Sequence, residues 1–465
     1  MTVLGNILVL VALVLAVGSA GLLVRSTLKP DRSVSLAGFL MSASVGAIVF
    51  ASAILLWLLL THDFSNGYVF SYSDRSLPLF YLLSSFYAGQ EGSFLFWVLC
   101  SGLIALALWV LTGKSGRRAE VMAVYMLIFS ALLLLVVVKS PFQSLWQMFP
   151  DAPSGMIPDD GRGLNPLLQN FWMVIHPPVL FVGFAAMTVP CSFALAGLWK
   201  KHYTVLPKQA LPWVLAGSAV LGLGIMLGAY WAYGVLGWGG YWGWDPVENS
   251  SLIPWLITIA LLHTLVAQQR TGRYVRTNFI LAIAALFFTI YSTFLTRSGV
   301  LGDASVHAFT GAGSTVYWML LLFLVAVAAA GVVMLSLRWR DLATGEAAQG
   351  YLTRETALGA GALVLLLSAG VILFGTSLPI FSSSSVEPSF YDRTNLPIAI
   401  AMVLLVGFSL TMQWEHQDVR EMLQRSWRPL AIAGVFSAGL AVLGVRDPLM
   451  LLLAFAAMLD RKSVV

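Results

Sequence analysis

The chain has 465 residues, of which 59% are hydrophobic and only 10% are charged, and its mean hydropathy is +0.85. A composition this apolar excludes a water-soluble globular protein and predicts a chain embedded in lipid. The formal net charge of +5 comes from basic residues that cluster in loops, so it indicates membrane orientation and not nucleic-acid binding.

Apolar runs long enough to cross a hydrocarbon layer of roughly 30 Å recur along the whole chain. We predict twelve membrane-spanning helices and a partial thirteenth. They begin near Val3, Val34, Ser93, Ala119, Pro178, Pro212, Leu252, Thr277, Val316, Thr356, Leu396, Pro429 and Pro448. Because backbone polar groups in lipid have to be paired within their own segment, the predicted fold is all-α, a single polytopic membrane domain over residues 1–465.

The loops between these runs alternate in basic residues. Six loops hold three Lys or Arg each, 18 in all, whereas the intervening loops hold six. Short cytoplasmic loops of membrane proteins are enriched in Lys and Arg. The six basic loops are therefore predicted to be cytoplasmic, and the N-terminus to lie outside. The longest loops then lie on the outer face, where we expect the functional site.

A tryptophan-rich segment, residues 234–256, lies on this outer face between the sixth and seventh predicted spans and includes the run GWGGYWGWDPVENSSLIPWL. The tetrapeptide Asp245-Pro246-Val247-Glu248 predicts a helix start, with Asp as N-cap, Pro at the first helical position and Glu completing a capping box. The seven residues before it hold four aromatics that alternate with glycine: Trp238, Tyr241, Trp242 and Trp244. One interpretation is an interfacial aromatic belt. The density of aromatics favours a platform for a planar hydrophobic ligand.

Two of the six histidines lie on either side of this segment. His176 is at the outer start of the fifth span, and His307 is in the outer loop before the ninth. Alone, each is an ordinary interfacial histidine; together with the tryptophans, they indicate the two axial ligands of one haem iron. Their side-chain nitrogens should then approach to roughly 4 Å across a haem.

His263 lies inside the seventh predicted span, roughly 10 Å by helical rise before the cytoplasmic Arg270. Intramembrane ionisable residues are usually functional, although a neutral histidine can also bond a neighbouring helix. The three other histidines, His62, His202 and His416, are predicted to be solvated loop residues. Cys100 and Cys191 lie in different predicted spans without a CxxC motif, so neither a disulfide nor a redox pair is indicated.

Several segments resemble one family. The run WGGYWGWDPVENSSLIPWL resembles the WWD signature of haem-handling membrane proteins. The segments YAGQEGSFLFW, GLNPLLQNFWMVIHPPVLFVGF, LLHTLVAQQR and TFLTRSGVLGDASVHAF are similar to segments of the CcmF/NrfE-type cytochrome c haem lyases. The shorter CcmC-type and CcsA-type relatives fit the number and order of spans less well. One departure is Gln90, where many CcmF/NrfE-type relatives have His.

The resemblance implies a function in cytochrome c maturation. It implies that Trp238–Trp244 with Asp245 receive haem b from a CcmE-type periplasmic chaperone, that His176 and His307 ligate its iron, and that His263 holds a second, intramembrane b haem reduced by quinol. Thioether bonds would form between the haem vinyl groups and the CxxCH thiols of an apocytochrome c presented by CcmH/CcmI-type partners. The family works in the bacterial cytoplasmic (inner) membrane with its active face in the periplasm. No catalytic residue of this chain follows from the resemblance.

Two other classes are weighed against this one. A polytopic transporter or haem exporter could use the aromatic loop as a vestibule, but the predicted spans are poor in charged residues and lack obvious broken helices. A respiratory subunit with b haems needs paired intramembrane histidines, and only His263 is visible. Copurifying haem would separate the haem-binding classes from a transporter.

The C-terminal end carries a further expectation. The resemblance implies that the second ligand of the His263 haem comes from a later span, and the chain ends about a dozen residues into its thirteenth run. The closing residues 460–465, DRKSVV, are predicted to be a non-native tail. The natural protein is therefore expected to continue through further spans.

Overall fold

The computed structural model describes residues 1–29, 33–113, 116–153, 155–237, 239–302, 305, 313–342, 352–382, 386–414 and 418–461. Over these ranges the chain is mainly helical and contains no β-strand, which confirms the predicted all-α fold. The helices are α1 Thr2–Leu28, α2 Ser33–Leu60, α3 Gly67–Tyr72, α4 Leu79–Ala88, α5 Gln90–Thr112, α6 Arg118–Val138, α7 Leu145–Met148, α8 Phe171–Ala186, α9 Thr188–Lys200, α10 Leu211–Val235, α11 Pro246–Thr271, α12 Val275–Arg297, α13 Gly313–Arg338, α14 Arg354–Phe381, α15 Pro388–Ser409, α16 Val419–Val442 and α17 Pro448–Arg461.

Eleven helical segments within the described ranges are long and apolar enough to cross a membrane, so the chain is a multi-pass membrane protein. They correspond to the first eleven predicted spans; the fifth is the combined segment Phe171–Lys200, formed by α8 and α9. The two remaining runs form shorter apolar helices, Ser426–Val442 and Pro448–Leu459. The expected twelve spans and partial thirteenth are thus eleven long segments followed by two shorter ones.

Small residues allow α8 and α10 to approach closely. A Cβ at Gly183 of α8 would lie 2.7 Å from the Cα of Leu221, and a Cβ at Gly224 of α10 would lie 2.8 Å from the Cα of Leu180. Close backbone approach through small residues is the usual basis of helix association in lipid, where helices gain little from the hydrophobic effect. The contact presses the first turns of α8, which carry His176, against α10.

The two prolines that follow His176 interrupt the hydrogen bonding of α8. Pro178 has no N–H group, so the carbonyl of Val174 lacks its helical partner. The hydroxyl of Tyr87 on α4 donates a hydrogen bond to this carbonyl instead. The HPP sequence therefore attaches the start of α8 to α4 as well as to α10.

The capping box predicted at Asp245 is confirmed. The Asp245 carboxylate accepts a hydrogen bond from the Val247 N–H at 2.9 Å, and Glu248 accepts from the N–H groups of Asp245 and Gly243 at 3.3 and 3.0 Å. α10 ends at Val235 and α11 begins at Pro246, so the outer parts of segment 234–256 are helical and the tryptophan loop proper is 236–245.

Candidate functional site

A cavity of about 680 Å³ lies at the end of the bundle that carries the tryptophan loop. α8, α10, α11 and α12 form its walls together with the segment 162–168. The apolar part of the lining includes Leu180, Phe181, Phe184 and Ile225, and the polar part includes His176. The volume falls within the range of about 300–1,000 Å³ that is typical of small-molecule and cofactor sites.

His176 is held in a defined orientation on this wall. Its Nδ1 lies 2.7 Å from the carbonyl oxygen of Gly224. A carbonyl oxygen only accepts, so Nδ1 carries a proton, and in the neutral ring the lone pair then lies on Nε2, the arrangement common in metal-ligating histidines. A Cβ at Gly228 would lie 2.6 Å from the His176 Cε1, so only glycine lets the ring lie this close to α10.

Of the described residues in the predicted aromatic platform, Trp242 is the one that lines the cavity. Its indole Nε1 is buried and has no hydrogen-bond partner among the described residues. Its ring meets that of Trp244 edge-on, with centroids 6.1 Å apart and an interplanar angle of 87°. The platform is therefore not a single flat surface in this structure.

The other two described aromatics of the loop have partners outside the cavity. The Trp244 ring stacks on Tyr391 of α15 at 5.1 Å and 16°, and its Nε1 donates to Asp392 at 2.8 Å. The Tyr241 ring stacks on Tyr233 of α10 at 4.4 Å and 13°, and half of Tyr241 is exposed. These contacts anchor the loop to α15 and α10, leaving Trp242 at the cavity. Trp238 lies outside the described residues.

Asp245 connects the tryptophan loop to the segment after α12. Its Oδ2 accepts a hydrogen bond from the hydroxyl of Ser305 at 2.7 Å. His307 lies two positions beyond Ser305, outside the described residues. The expected approach of the His176 and His307 rings therefore stays a prediction.

Sequence reasoning missed Arg297, which lines the cavity at the end of α12. The residue is 9% exposed, and its guanidinium carbon lies 5.5 Å from the ring centroid of Phe94 and 5.7 Å from that of Phe181. Gln90, the departure from the family pattern, donates from Nε2 to the Arg297 carbonyl at 2.7 Å. One signal in the sequence could have found it: Arg297 is a basic residue directly after an apolar run, on the outer face, where basic residues are few.

Two tyrosines in the short helix α3 beside the cavity keep their protons at neutral pH. Burial, reinforced by the charge of Glu91, raises the pKa of Tyr72 to about 12, and burial also raises the pKa of Tyr68 well above its ordinary value. Glu91 itself forms an ion pair with Lys139, with 3.3 Å between Oε1 and Nζ. The phenols near the cavity therefore act as neutral hydrogen-bonding groups.

His263 lies in α11, away from the tryptophan loop. Its Nδ1 is 2.8 Å from the carbonyl oxygen of Ile259, which again assigns the lone pair to Nε2. A Cβ at Gly361 of α14 would lie 4.0 Å from the His263 Cδ2 and 3.9 Å from the Met402 sulfur. The imidazole and the thioether of Met402 thus lie on the same small gap between α11, α14 and α15.

Comparisons with known proteins agree with this architecture. Residues 87–301 match the family model described as cytochrome C assembly protein. The chain is 34% identical over 446 residues to the cytochrome c-type biogenesis protein CcmF of Pseudomonas aeruginosa, an alignment that covers 94% of this chain and 66% of that protein. It is 31% identical over 412 residues to NrfE of Haemophilus influenzae, covering 86% of this chain and 61% of that protein.

A solved structure of the cytochrome c haem lyase CcmF matches the whole chain with a TM-score of 0.79 and 27% identity, and the match covers 70% of that structure. Fold and similarity together define a polytopic membrane protein of the cytochrome c assembly class. The chain belongs to the family of CcmF-type cytochrome c biogenesis proteins. It spans 66% and 61% of the lengths of the two relatives named above.

Proposed function

We propose that this chain acts in cytochrome c maturation by binding haem in the cavity beside the tryptophan loop and holding it for thioether attachment to an apocytochrome c. Haem is the substrate in this proposal. The observation that carries it is the orientation of His176 on the wall of a largely apolar cavity: its Nδ1–H donates to the Gly224 carbonyl, so in the neutral ring Nε2 has the lone pair that an iron ligand needs.

The cavity suits a porphyrin in size and chemistry. Phe181 and Phe184 offer apolar surface, and the indole of Trp242 offers an aromatic one with a buried N–H. The glycine at position 228 keeps space beside the imidazole that a larger residue would fill. These features support a flat hydrophobic ligand with a metal at its centre.

His307 is proposed as the second axial ligand. Its support is the hydrogen bond from Ser305 to Asp245, which holds the segment after α12 against the tryptophan loop. Two residues of chain span at most about 7 Å, so His307 follows closely on a residue fixed at the loop. Ser305 itself lies at the same end of the bundle as His176.

In the proposed reaction each thiol adds across one vinyl group, with sulfur bonding to carbon and the thiol hydrogen passing to the neighbouring carbon. The residues of this chain do not donate atoms to the product. Their contribution is positional: His176 fixes the centre of the ring, and the apolar wall at Phe181 excludes water. Holding both reactants in one geometry lowers the activation free energy by several kcal/mol, and by about 7–11 kcal/mol in the best-oriented cases.

The partners and location follow the same proposal. A CcmE-type chaperone would deliver haem, and CcmH/CcmI-type proteins would present the apocytochrome c. The alternation of basic loops supports an outer N-terminus and a site on the periplasmic face of the bacterial inner membrane. The lipid bilayer is the surrounding medium, and no nucleic acid takes part.

A second, intramembrane haem is proposed at His263. The support for it is that Nδ1 of the ring is bonded to the Ile259 carbonyl, which in the neutral ring leaves the lone pair on Nε2; beside the ring, Gly361 leaves the space of one methyl group. When bound, that haem would supply electrons from quinol to keep the substrate iron ferrous. His263 would hold its iron from α11.

Absorbance spectra of the purified full chain test the proposal. After addition of haem, the wild-type chain should show a Soret band typical of ligation by two histidines. A His176→Gly variant should lose that band, and exogenous imidazole should restore it because the small ligand refills the vacated space. A wild-type chain that binds no haem would contradict the proposal and favour the transporter class.

A further inference from the structure

A groove separate from the cavity lies on the surface of the bundle, where the starts of α2 and α6 meet the end of α5. Its volume is about 680 Å³. The residues that define it are Ser35, Gly38, Phe39 and Ser42 of α2, Trp109 of α5 and Arg118 of α6. None of them lines the cavity that holds His176. Both loops beside the groove belong to the basic set that is predicted to be cytoplasmic, so the groove is predicted to lie at the opposite membrane face from the haem site.

Trp109 holds the Arg118 side chain at this groove. The guanidinium carbon of Arg118 lies 4.6 Å from the centroid of the Trp109 ring, and its Nε donates a hydrogen bond to the Trp109 carbonyl at 3.0 Å. Gly38 lets the indole lie against α2, because a Cβ at that position would overlap the Trp109 ring. A guanidinium carries five N–H donors, so an arginine that is stacked and makes one such bond can also bind an oxyanion along its edge.

The rest of the groove follows one face of α2 into the membrane. Ser35, Phe39 and Ser42 recur at helical spacing over about 10 Å of helical rise. The Phe39 side chain is 68% exposed and forms an aromatic wall together with the Trp109 indole. A ligand that fills the groove therefore needs a polar head near Arg118 and Ser35 and an apolar chain beside Phe39.

The charge around the groove favours an anionic head. In the sequence, the segments 25–32 and 113–120 beside it hold six basic residues and two acidic ones, Asp31 and Glu120. Glu120 also faces a histidine, with 3.9 Å between its Oε1 and the Nε2 of His202. Basic residues thus outnumber acidic ones three to one in the two segments that flank the groove.

The adjoining loop on the same face has the same sign. Segment 200–208 holds three lysines and no acidic residue. Lys200 donates a hydrogen bond from Nζ to the Thr27 carbonyl at the end of α1, and the Nζ of Lys201 lies 4.0 Å from the Oδ2 of Asp341. The positive surplus is shared by the whole face, so it does not require any single cation to be without a partner.

We propose that this groove binds an anionic phospholipid of the cytoplasmic leaflet, with the headgroup phosphate at Arg118 and Ser35 and one acyl chain along Phe39. Basic pockets between membrane helices on the cytoplasmic side bind anionic headgroups in this way. A guanidinium and a hydroxyl both donate hydrogen bonds to phosphate oxygens, and those from the guanidinium are strengthened by charge. The inference uses other residues than the proposed haem site and does not rest on it.

Lipid titration of the delipidated full chain in detergent tests this inference. The probes are phosphatidylglycerol and phosphatidylcholine with the same acyl chains, and native mass spectrometry counts the bound molecules. The wild-type chain should bind phosphatidylglycerol about tenfold more tightly, because the choline cation of the other lipid offsets its phosphate at a positive face.

Variants assign that preference to the groove. Arg118→Gln should reduce it to about twofold or less, and Ser35→Asp should do the same by placing a carboxylate at an exposed position of the groove. Phe39→Ala should weaken both lipids about threefold, because it removes an apolar wall and no charge. Arg340→Gln is the matched control: it removes one charge from an exposed residue of another basic loop, outside the groove, and should change neither affinity.

Three outcomes would overturn the inference. The first is equal affinity of the wild-type chain for the two lipids. The second is an equal loss of the preference in Arg118→Gln and Arg340→Gln, which would assign it to the general charge of the face. The third is a full preference in Ser35→Asp, and this variant keeps the test valid if Arg118→Gln does not fold. Haem titration of the same variants should match the wild type, so a failure of the haem site and a failure of the lipid site are told apart.

Discussion

Ser305 donates a hydrogen bond from its hydroxyl to the Asp245 carboxylate, with 2.7 Å between Oγ and Oδ2, across 60 positions of sequence. The same carboxylate caps α11 through the N–H of Val247. One side chain therefore fixes the start of a membrane-spanning helix and attaches the segment after α12 to the tryptophan loop.

This double role predicts unequal effects of two alanine substitutions. Asp245→Ala should lower the free energy of unfolding by about 1–2 kcal/mol, because it removes an N-cap as well as the contact with Ser305. Ser305→Ala leaves the N-cap in place and should cost about 1 kcal/mol or less. Unfolding by a denaturing detergent measures both. Wild-type stability of Asp245→Ala would show that the carboxylate does not hold the loop.

The two described tryptophans of the loop should differ in function. Trp242→Ala should weaken haem binding about threefold to tenfold, the effect expected for one lost aromatic contact, with little loss of stability. Trp244→Ala should lower stability by about 1–2 kcal/mol, because it removes the stack on Tyr391 and the hydrogen bond to Asp392. Soret titration and thermal unfolding separate the effects. The reverse pattern would assign the haem contact to Trp244.

Gly228 should be sensitive to a single methyl group. A Cβ there would lie 2.6 Å from the His176 ring, so Gly228→Ala should displace the imidazole from Gly224 and weaken haem binding about tenfold or more. Gly234 lies on the same helix with nothing within 4 Å of its ideal Cβ, which makes Gly234→Ala the matched control. Equal haem affinity in the two variants would show that the position of His176 does not matter for binding.

The segment that carries Arg162 should respond to acid. Asp160 is exposed, and its carboxylate accepts hydrogen bonds from the backbone N–H groups of Arg75 and Gly161, which lower its pKa below the ordinary value. A carboxylate with a lowered folded-state pKa stabilises above the unfolded pKa and loses that contribution as the pH falls through the folded one. Amide exchange at Gly161 should therefore stay slow at mildly acidic pH and accelerate only below the usual aspartate range. In Asp160→Asn, the exchange rate at Gly161, corrected for its intrinsic pH dependence, should no longer change over that pH range. A pH profile identical to that of the wild type would contradict the role of the carboxylate.

The features that could be predicted from the sequence are those that depend on residues close together in the chain. The helix start at Asp245 is encoded within four residues, and the structure forms it as expected. The first eleven spans follow from the lengths of their apolar runs alone. The runs that begin near Pro429 and Pro448 also form apolar helices, but these helices are shorter than the membrane-spanning length that the prediction assumed.

The features that the sequence did not predict depend on packing between residues far apart in the chain. The aromatic residues of the loop looked like one platform, but Trp244 stacks on Tyr391, and that partner lies far along the chain. Arg297 looked like an ordinary loop residue because its burial depends on Phe94 and Phe181 from two other helices. Neither contact leaves a periodic signal in the sequence.

The most direct test of the central claim is a cryo-EM structure of the full chain with haem added in a lipid nanodisc. The account predicts haem in the cavity beside Phe181 and Trp242, with its iron about 2 Å from the Nε2 of His176. Haem bound elsewhere on the chain, or an iron in this cavity without His176 as a ligand, would contradict it.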